Sequence, residues 1–217
     1  MNKKLLLIAL ILSNCASRDY IDIPVSIFYN LKGVDIEINE SFLASKEFSF
    51  IKVRLGRSLV STMALSKIDD DIYEWVGAEQ KQWIYTKHGK IIKTLGLDYD
   101  VQIINHSDFS LKDGSNGMHF INFIAPSGMF KQNYEIEALS AKKSARLLKR
   151  FLGDSRKSYG SDEVLEVKIL EENFKTGMLW WNKKNLYLLN SSNRVTKSKQ
   201  YIHPYLNPIE LEFYYKY

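Results

Sequence analysis

A mainly β fold is predicted for this chain: a large antiparallel meander sheet, curved or barrel-like, with one or two short helices. Three observations carry the prediction. Apolar and charged residues alternate over short segments, as in Ile51, Val53 and Leu55 against Lys52 and Arg54; a period of two puts each set on its own face of a strand. Turn-forming residues separate such segments, most clearly Asp69 to Asp71 and His88-Gly89. Sustained helical spacing of apolar residues is confined to one stretch, "SAKKSARLLKRFLGD".

The first element is an export signal over residues 1–14. Lys3 and Lys4 give it a positive start, and Leu5 to Leu12 form an unbroken apolar run. Eight apolar residues are too few for a bilayer core, which takes roughly 20 in a helix, but they suit a signal peptide. Cys15, the only cysteine, follows directly. Leu12-Ser13-Asn14-Cys15 resembles a bacterial lipobox, in which cleavage precedes a lipid-modified cysteine; Asn14 stands where Gly or Ala is usual. Ala16, rather than Asp, resembles lipoproteins sorted to the outer membrane. Each buried methylene contributes about 0.8 kcal/mol and one chain anchors marginally, so a stable tether takes more than one chain. The expectation is a single β-rich periplasmic domain, 15–217, tethered to the membrane through lipid on Cys15.

Removing 14 residues from 217 leaves 203, enough for one large domain or two small ones. Hydrophobic residues are 45% and charged residues 25%, which excludes a disordered chain. The formal net charge is +5, and +3 without Lys3 and Lys4. That mild excess and a periplasmic address argue against a nucleic-acid partner.

After the signal, Ser26 to Leu31 suits a short helix, and Asn39 can cap another over Glu40 to Ser45. Strands fit Phe50 to Leu55, ended by Gly56, and Leu59 to Ser66. The clearest hairpin runs out over Trp83 to Lys87, turns at His88-Gly89, and returns over Lys90 to Leu95 until Gly96 breaks it. Further strands fit Val101 to Asn105, Met118 to Ile124, Asn133 to Glu137, Val164 to Glu171, Met178 to Trp181, Asn185 to Asn190 and Ile209 to Tyr215. The helical stretch carries Ala141, Ala145, Leu148 and Leu152 on one face and Lys142, Lys143, Arg146, Lys149 and Arg150 on the others, with Ser140 as cap and Gly153 as stop. It reads as a solvated helix packed on the sheet, with a membrane-surface element as the alternative.

The search for chemistry finds no enzyme. Glycoside cleavage needs two carboxylates across a sugar. Neighbours on a strand, such as Glu171 and Glu172, point to opposite faces. Asp98 with Asp100 is another acidic pair, and Asp69 to Asp71 read as a solvated turn. His88, His106, His119 and His203 stand at least 13 residues apart and form no compact metal-ligand motif. No nucleophile elbow or phosphate loop is present. No catalytic residue, metal or cofactor is expected. Binding candidates are aromatic: Trp75, Trp83, Trp180 and Trp181, with 13 tyrosines, suit sugar rings as well as a core. Strand alternation allows only one of Trp180 and Trp181 into the core easily. With Trp83 they are the candidate interaction residues.

The segments "FIKVRLGRSLVSTMALSK" and "YEWVGAEQKQWIYTKHGKIIKTLGLDYDV" are similar to the YjbF/GfcB family of lipoproteins. The family's G-[KR]-I-x-x-T-x-G-L pattern is met by Gly89, Lys90, Ile91, Thr94, Gly96 and Leu97. Its C-terminal Lys-Ser-x-Gln and nearby proline are met by Lys197, Ser198, Gln200 and Pro204. Leu188 stands after Tyr187 where Trp is frequent, and Tyr217 ends the chain where proline is common. The resemblance implies a mainly antiparallel β fold and no catalytic residues. It implies a non-enzymatic accessory role in assembly and export of capsule or exopolysaccharide at the outer membrane, with the domain facing the periplasm. The implied partners are other polysaccharide-export proteins, an outer-membrane β-barrel among them, and polysaccharide itself. The alternative is a polysaccharide-binding or polysaccharide-modifying periplasmic protein.

Overall fold

The turn pair His88-Gly89 folds as its residues dictate. Both take positive φ, 50° and 82°, as two-residue hairpin turns require. They join β4 (Trp83–Lys87) to β5 (Lys90–Leu95). Repetition of such hairpins builds the molecule. In a computed structural model that describes residues 47–78, 80–106, 109–142, 168–177 and 180–216, the strands before this hairpin are β1 (Phe50–Leu55), β2 (Ser61–Asp69) and β3 (Ile72–Gly77). Those after it are β6 (Asp100–Ile103), β7 (Gly117–Ala125), β8 (Gly128–Lys142), β9 (Lys168–Thr176), β10 (Asn182–Leu189), β11 (Val195–Gln200) and β12 (Ile209–Tyr214). Each pairs antiparallel with its neighbour in sequence, and β1 pairs with β12, which closes a barrel of 12 strands.

The closing seam shows why the sheet curls this way round. Ile51, Val53 and Leu55 oppose Phe213, Leu211 and Ile209, while Lys52 and Arg54 oppose Glu212 and Glu210. The apolar set faces the lumen and the charged set faces out. The lumen is a packed core, with Trp75, Phe123, Phe174 and Leu170 among its most buried members. Trp75 donates its indole N–H to Thr86 Oγ1 at 2.8 Å. A membrane-spanning barrel carries an apolar band outside; this one carries charged rows there, including Lys199–Glu210 at 2.9 Å. Among the described residues no helix is long and apolar enough to cross a membrane.

Several sequence expectations need correction. Of the strand expected over Met178 to Trp181, the described residues Trp180 and Trp181 lie in no strand: β9 ends at Thr176, β10 begins at Asn182, and Trp180 turns with φ 47°. Ser140, Ala141 and Lys142 do not begin a helix but finish β8, whose alternation of Gln132, Tyr134 and Ile136 inward outweighs the helical spacing there. The remainder of that stretch lies outside the described residues, as do the helices expected over 26–31 and 40–45 and the export signal. β8 extends the expected Asn133 to Glu137 at both ends, and the strand expected from Val164 is seen from Lys168. β11 escapes the alternation rule because Ser198 and Gln200, not apolar residues, face inward.

Candidate functional site

The core holds a polar cluster that hydropathy does not announce. Lys90, the first residue of β5, is buried with its ammonium in the lumen. It donates to Glu172 Oε1 at 2.5 Å and to Tyr134 Oη at 3.0 Å. It also stands 4.4 Å from the Phe109 ring centroid. Glu172 is positioned by β9, where Leu170 and Phe174 share its inward face. Its Oε1 accepts from Tyr134 as well, and its Oε2 accepts from Tyr187 at 2.7 Å. Burial pushes the Lys90 ammonium below its ordinary pKa, although the Glu172 charge acts the other way. Burial, followed by the Glu172 charge, raises both phenols well above theirs. The phenols therefore stay neutral donors, and the carboxylate is fully engaged. This cluster binds the wall together; it does not leave an acid aimed at a substrate.

A second clamp crosses the lumen beside it. Gln200 on β11 donates from Nε2 to Gly89 O and accepts from Ile91 N–H at Oε1, both at 2.8 Å. Ser198 Oγ accepts from the same Nε2 at 2.8 Å. Thus β11 grips the β4–β5 hairpin though the two are not neighbours in the sheet. A Cβ on Gly89 would lie 2.5 Å from Val195 Cβ, so only glycine permits the approach. The other acidic candidates also have structural duties. Asp100 accepts from Thr94 Oγ1 at 2.7 Å and from the Gly96 and Leu97 amides, which fixes the β5–β6 turn; burial raises its pKa. Glu171 faces out, 3.2 Å from Lys184.

One barrel end is closed by the β11–β12 connection. His203 and Leu206 are buried there with Trp181. The His203 ring meets Phe123 edge-on at 5.0 Å and Tyr99 at 4.9 Å. His203 Nδ1 accepts the Tyr205 amide at 3.2 Å, which assigns the neutral ring's hydrogen to Nε2. Nε2 has no hydrogen-bond partner among the described residues. Burial lowers the pKa from 6.5 to about 4. The unfolded chain then binds the extra proton between these values, so stability is complete above pH 6.5 and falls as the pH drops toward 4. The expected loss is about 2–3 kcal/mol. Thermal melts of wild type and His203→Gln over that range check it. The acid-dependent fall should shrink in the variant, and parallel curves would contradict the assignment.

The aromatic candidates gather at this same end but not into one site. Trp181 is 9% exposed and packs edge-on against Phe174 and Phe123. Trp180, at the tip of the β9–β10 turn, is 90% exposed. The pair divides inside and outside through turn geometry rather than through strand alternation. Trp83 is half-buried at the start of β4, its indole N–H donating to Gln80 O at 3.2 Å; five steps around the barrel separate β4 from β9. No group of three or more His, Cys, Asp or Glu able to hold a metal occurs among the described residues.

The opposite end opens into a cleft of about 1030 Å³, reached by the start of β1 at Ser49 and by the β2–β3, β4–β5 and β10–β11 turns. Arg194 is the cation most firmly placed in it. Its guanidinium carbon lies 3.4 Å from the Tyr215 ring centroid, and Nη2 donates to Tyr73 Oη at 3.1 Å.

The family model for the group 4 capsule polysaccharide lipoprotein gfcB, YjbF, matches residues 26–214. The chain belongs to the YjbF family. Its pattern residues now have structural reasons: Gly89 and Gln200 form the cross-lumen clamp, Lys90 anchors the buried cluster, and Thr94 with Gly96 shapes the turn held by Asp100. Among solved structures, the hypothetical lipoprotein YmcC from Escherichia coli K12 is similar, with a TM-score of 0.63 and 16% identity over 82% of this chain and 89% of that one. At that identity the likeness concerns the fold alone. No curated protein sequence matches the chain. The YjbF family is described as a capsule polysaccharide lipoprotein family and carries no enzymatic description.

Sequence reasoning weighed Glu172 and His203 only as candidates for chemistry and gave Tyr134, Tyr187 and Arg194 no part in a site. For Lys90 a signal existed: a charged residue directly after the turn glycine, in a strand whose next two residues are isoleucine.

Proposed function

We propose that this protein is an outer-membrane lipoprotein, anchored through Cys15 with its barrel in the periplasm, that acts as a non-enzymatic accessory factor in capsule or exopolysaccharide assembly and export. The observation that carries the reading is the match to a capsule polysaccharide lipoprotein family over residues 26–214. The core supports it: the buried carboxylate of Glu172 is saturated by Lys90, Tyr134 and Tyr187, as a structural group would be. Contact with export partners is made by an exposed aromatic. Trp180 is the best placed, because interface energy concentrates in a few Trp, Tyr and Arg side chains, each contributing about 2 kcal/mol or more.

The barrel's entry strand starts at the open end, where Ser49 lines the cleft. Labelling cells with an alkyne fatty acid tests the anchor. Wild type should take the label and fractionate with outer membranes, whereas Cys15→Ser should lose both properties and reduce surface polysaccharide. Equal labelling of the two proteins would overturn the lipid anchor. Trp180→Ala should keep label and melting temperature but reduce surface polysaccharide; full surface polymer would remove Trp180 from the docking surface.

A further inference from the structure

The two ends of the barrel offer a ligand different things. The end bearing His203 and Trp181 is filled by its own aromatic side chains. The other end holds the cleft of about 1030 Å³, near the upper part of the roughly 300–1,000 Å³ range of small-ligand pockets. We infer that this cleft is a binding site for an anionic saccharide, with Arg194 receiving a sugar carboxylate. The inference rests on the polysaccharide role proposed above and gives that role a ligand class and a place.

Charge selects the anion. Arg194, Lys112 and Lys168 line the cleft against two carboxylates, Asp71 and Asp113. Asp113 is partly committed elsewhere, since its Oδ1 accepts the Ala141 amide at 2.9 Å. A recessed cationic surface concentrates anions, because its low-dielectric walls focus the field.

Geometry favours an oxyanion. A guanidinium is a planar cation whose N–H donors match carboxylate and phosphate oxygens alike, and the sugar lining decides between them. Arg194 is held for that purpose by stacking on Tyr215 and by its bond to Tyr73. Little side-chain entropy remains to be lost on binding, which favours affinity. Lys112, exposed on the opposite connection, adds charge without a fixed direction.

The rest of the lining selects a sugar. Ser110, Ser192 and Asn193 offer hydroxyl and amide groups able both to donate and to accept, as ring hydroxyls require. Tyr73 and Tyr215 supply partly exposed aromatic surface beside them. A simple phosphate site would not call for this mixture.

The test uses full-length protein purified in detergent and isothermal titration with trigalacturonate, maltotriose and inorganic phosphate. Trigalacturonate should bind at least tenfold tighter than the other two, and more weakly as salt rises. Arg194→Gln should weaken it at least tenfold. Because Arg194 also supports Tyr73 and Tyr215, Lys112→Gln provides a variant outside that packing, expected to weaken binding about threefold. Lys183→Gln, which removes the same charge from the outer wall of β10, should bind as wild type. The inference is overturned if maltotriose or phosphate binds as well as trigalacturonate, if no probe binds, or if Lys183→Gln weakens binding as much as Lys112→Gln. Absence of binding would leave the accessory role standing wherever deletion of the protein still removes surface polymer, so the two failures are told apart.

Discussion

Lys90→Ala is expected to destabilise the barrel by about 3–5 kcal/mol, the range for breaking a buried ion pair by removing one partner. The charge of Glu172 would remain in the lumen with only two phenols to answer it. The size of the loss reflects the stranded carboxylate more than the attraction between the ions. That distinction can be measured. Lys90→Met together with Glu172→Gln removes both charges and keeps most of the volume, so the double variant should be more stable than Lys90→Ala. Urea unfolding of wild type, Lys90→Met, Glu172→Gln and the double variant closes the cycle. Wild-type stability in Lys90→Ala, or strictly additive losses in the double variant, would show that the pair does not couple the strands.

Gly96→Ala should be nearly as damaging for a different reason. Gly96 has φ 83°, and a Cβ there would stand 1.9 Å from the Lys81 carbonyl oxygen. The obstacle is backbone, so no rotamer change relieves it; the β3–β4 and β5–β6 connections would have to part. A loss of about 3 kcal/mol or more is expected, in the class of strain at a special backbone position. Gly114 supplies the control. It shares φ 83° but a Cβ there meets nothing within 4 Å. Gly114→Ala should therefore show only the left-handed backbone penalty, about 1–2 kcal/mol. Equal melting temperatures for the two variants would mean that the close approach at Gly96 contributes nothing.

The contrast between these glycines also marks what the sequence can show. The β4–β5 hairpin is legible to the residue because its signals are local: alternation in Trp83 to Lys87, a turn pair, and alternation again. β1 and β12 are legible for the same reason, since their inward residues are all apolar. β11 is not, because its inward Ser198 and Gln200 serve a hairpin more than 100 positions away, with Gln200 and Gly89 separated by 111 residues. No window of sequence contains both partners. The Trp180–Trp181 pair teaches a related lesson. One ring does go in and one out, but a turn with φ 47° at Trp180 divides them, and local alternation would give the same division for another reason.

The site is less legible than the fold. Arg194 and Tyr73 meet across a sequence separation of 121 residues, and Lys90 and Glu172 across 82. Closure of a barrel brings such residues together, and closure itself depends on β1 pairing with β12. The family pattern did retain traces of these contacts, because Gly89, Lys90 and Gln200 are all part of it. Their roles became readable only once β5, β9 and β11 shared a lumen.

The central claim is that this barrel serves the passage of polysaccharide to the cell surface without making or altering it. Deletion of the protein, followed by separate quantification of surface and cell-retained polymer and comparison of their sugar composition, tests that claim most directly. The account predicts that surface polymer falls, that retained polymer of unchanged composition persists, and that the wild-type chain restores the surface fraction. Unchanged surface polymer, or polymer of altered composition at normal surface levels, would contradict it.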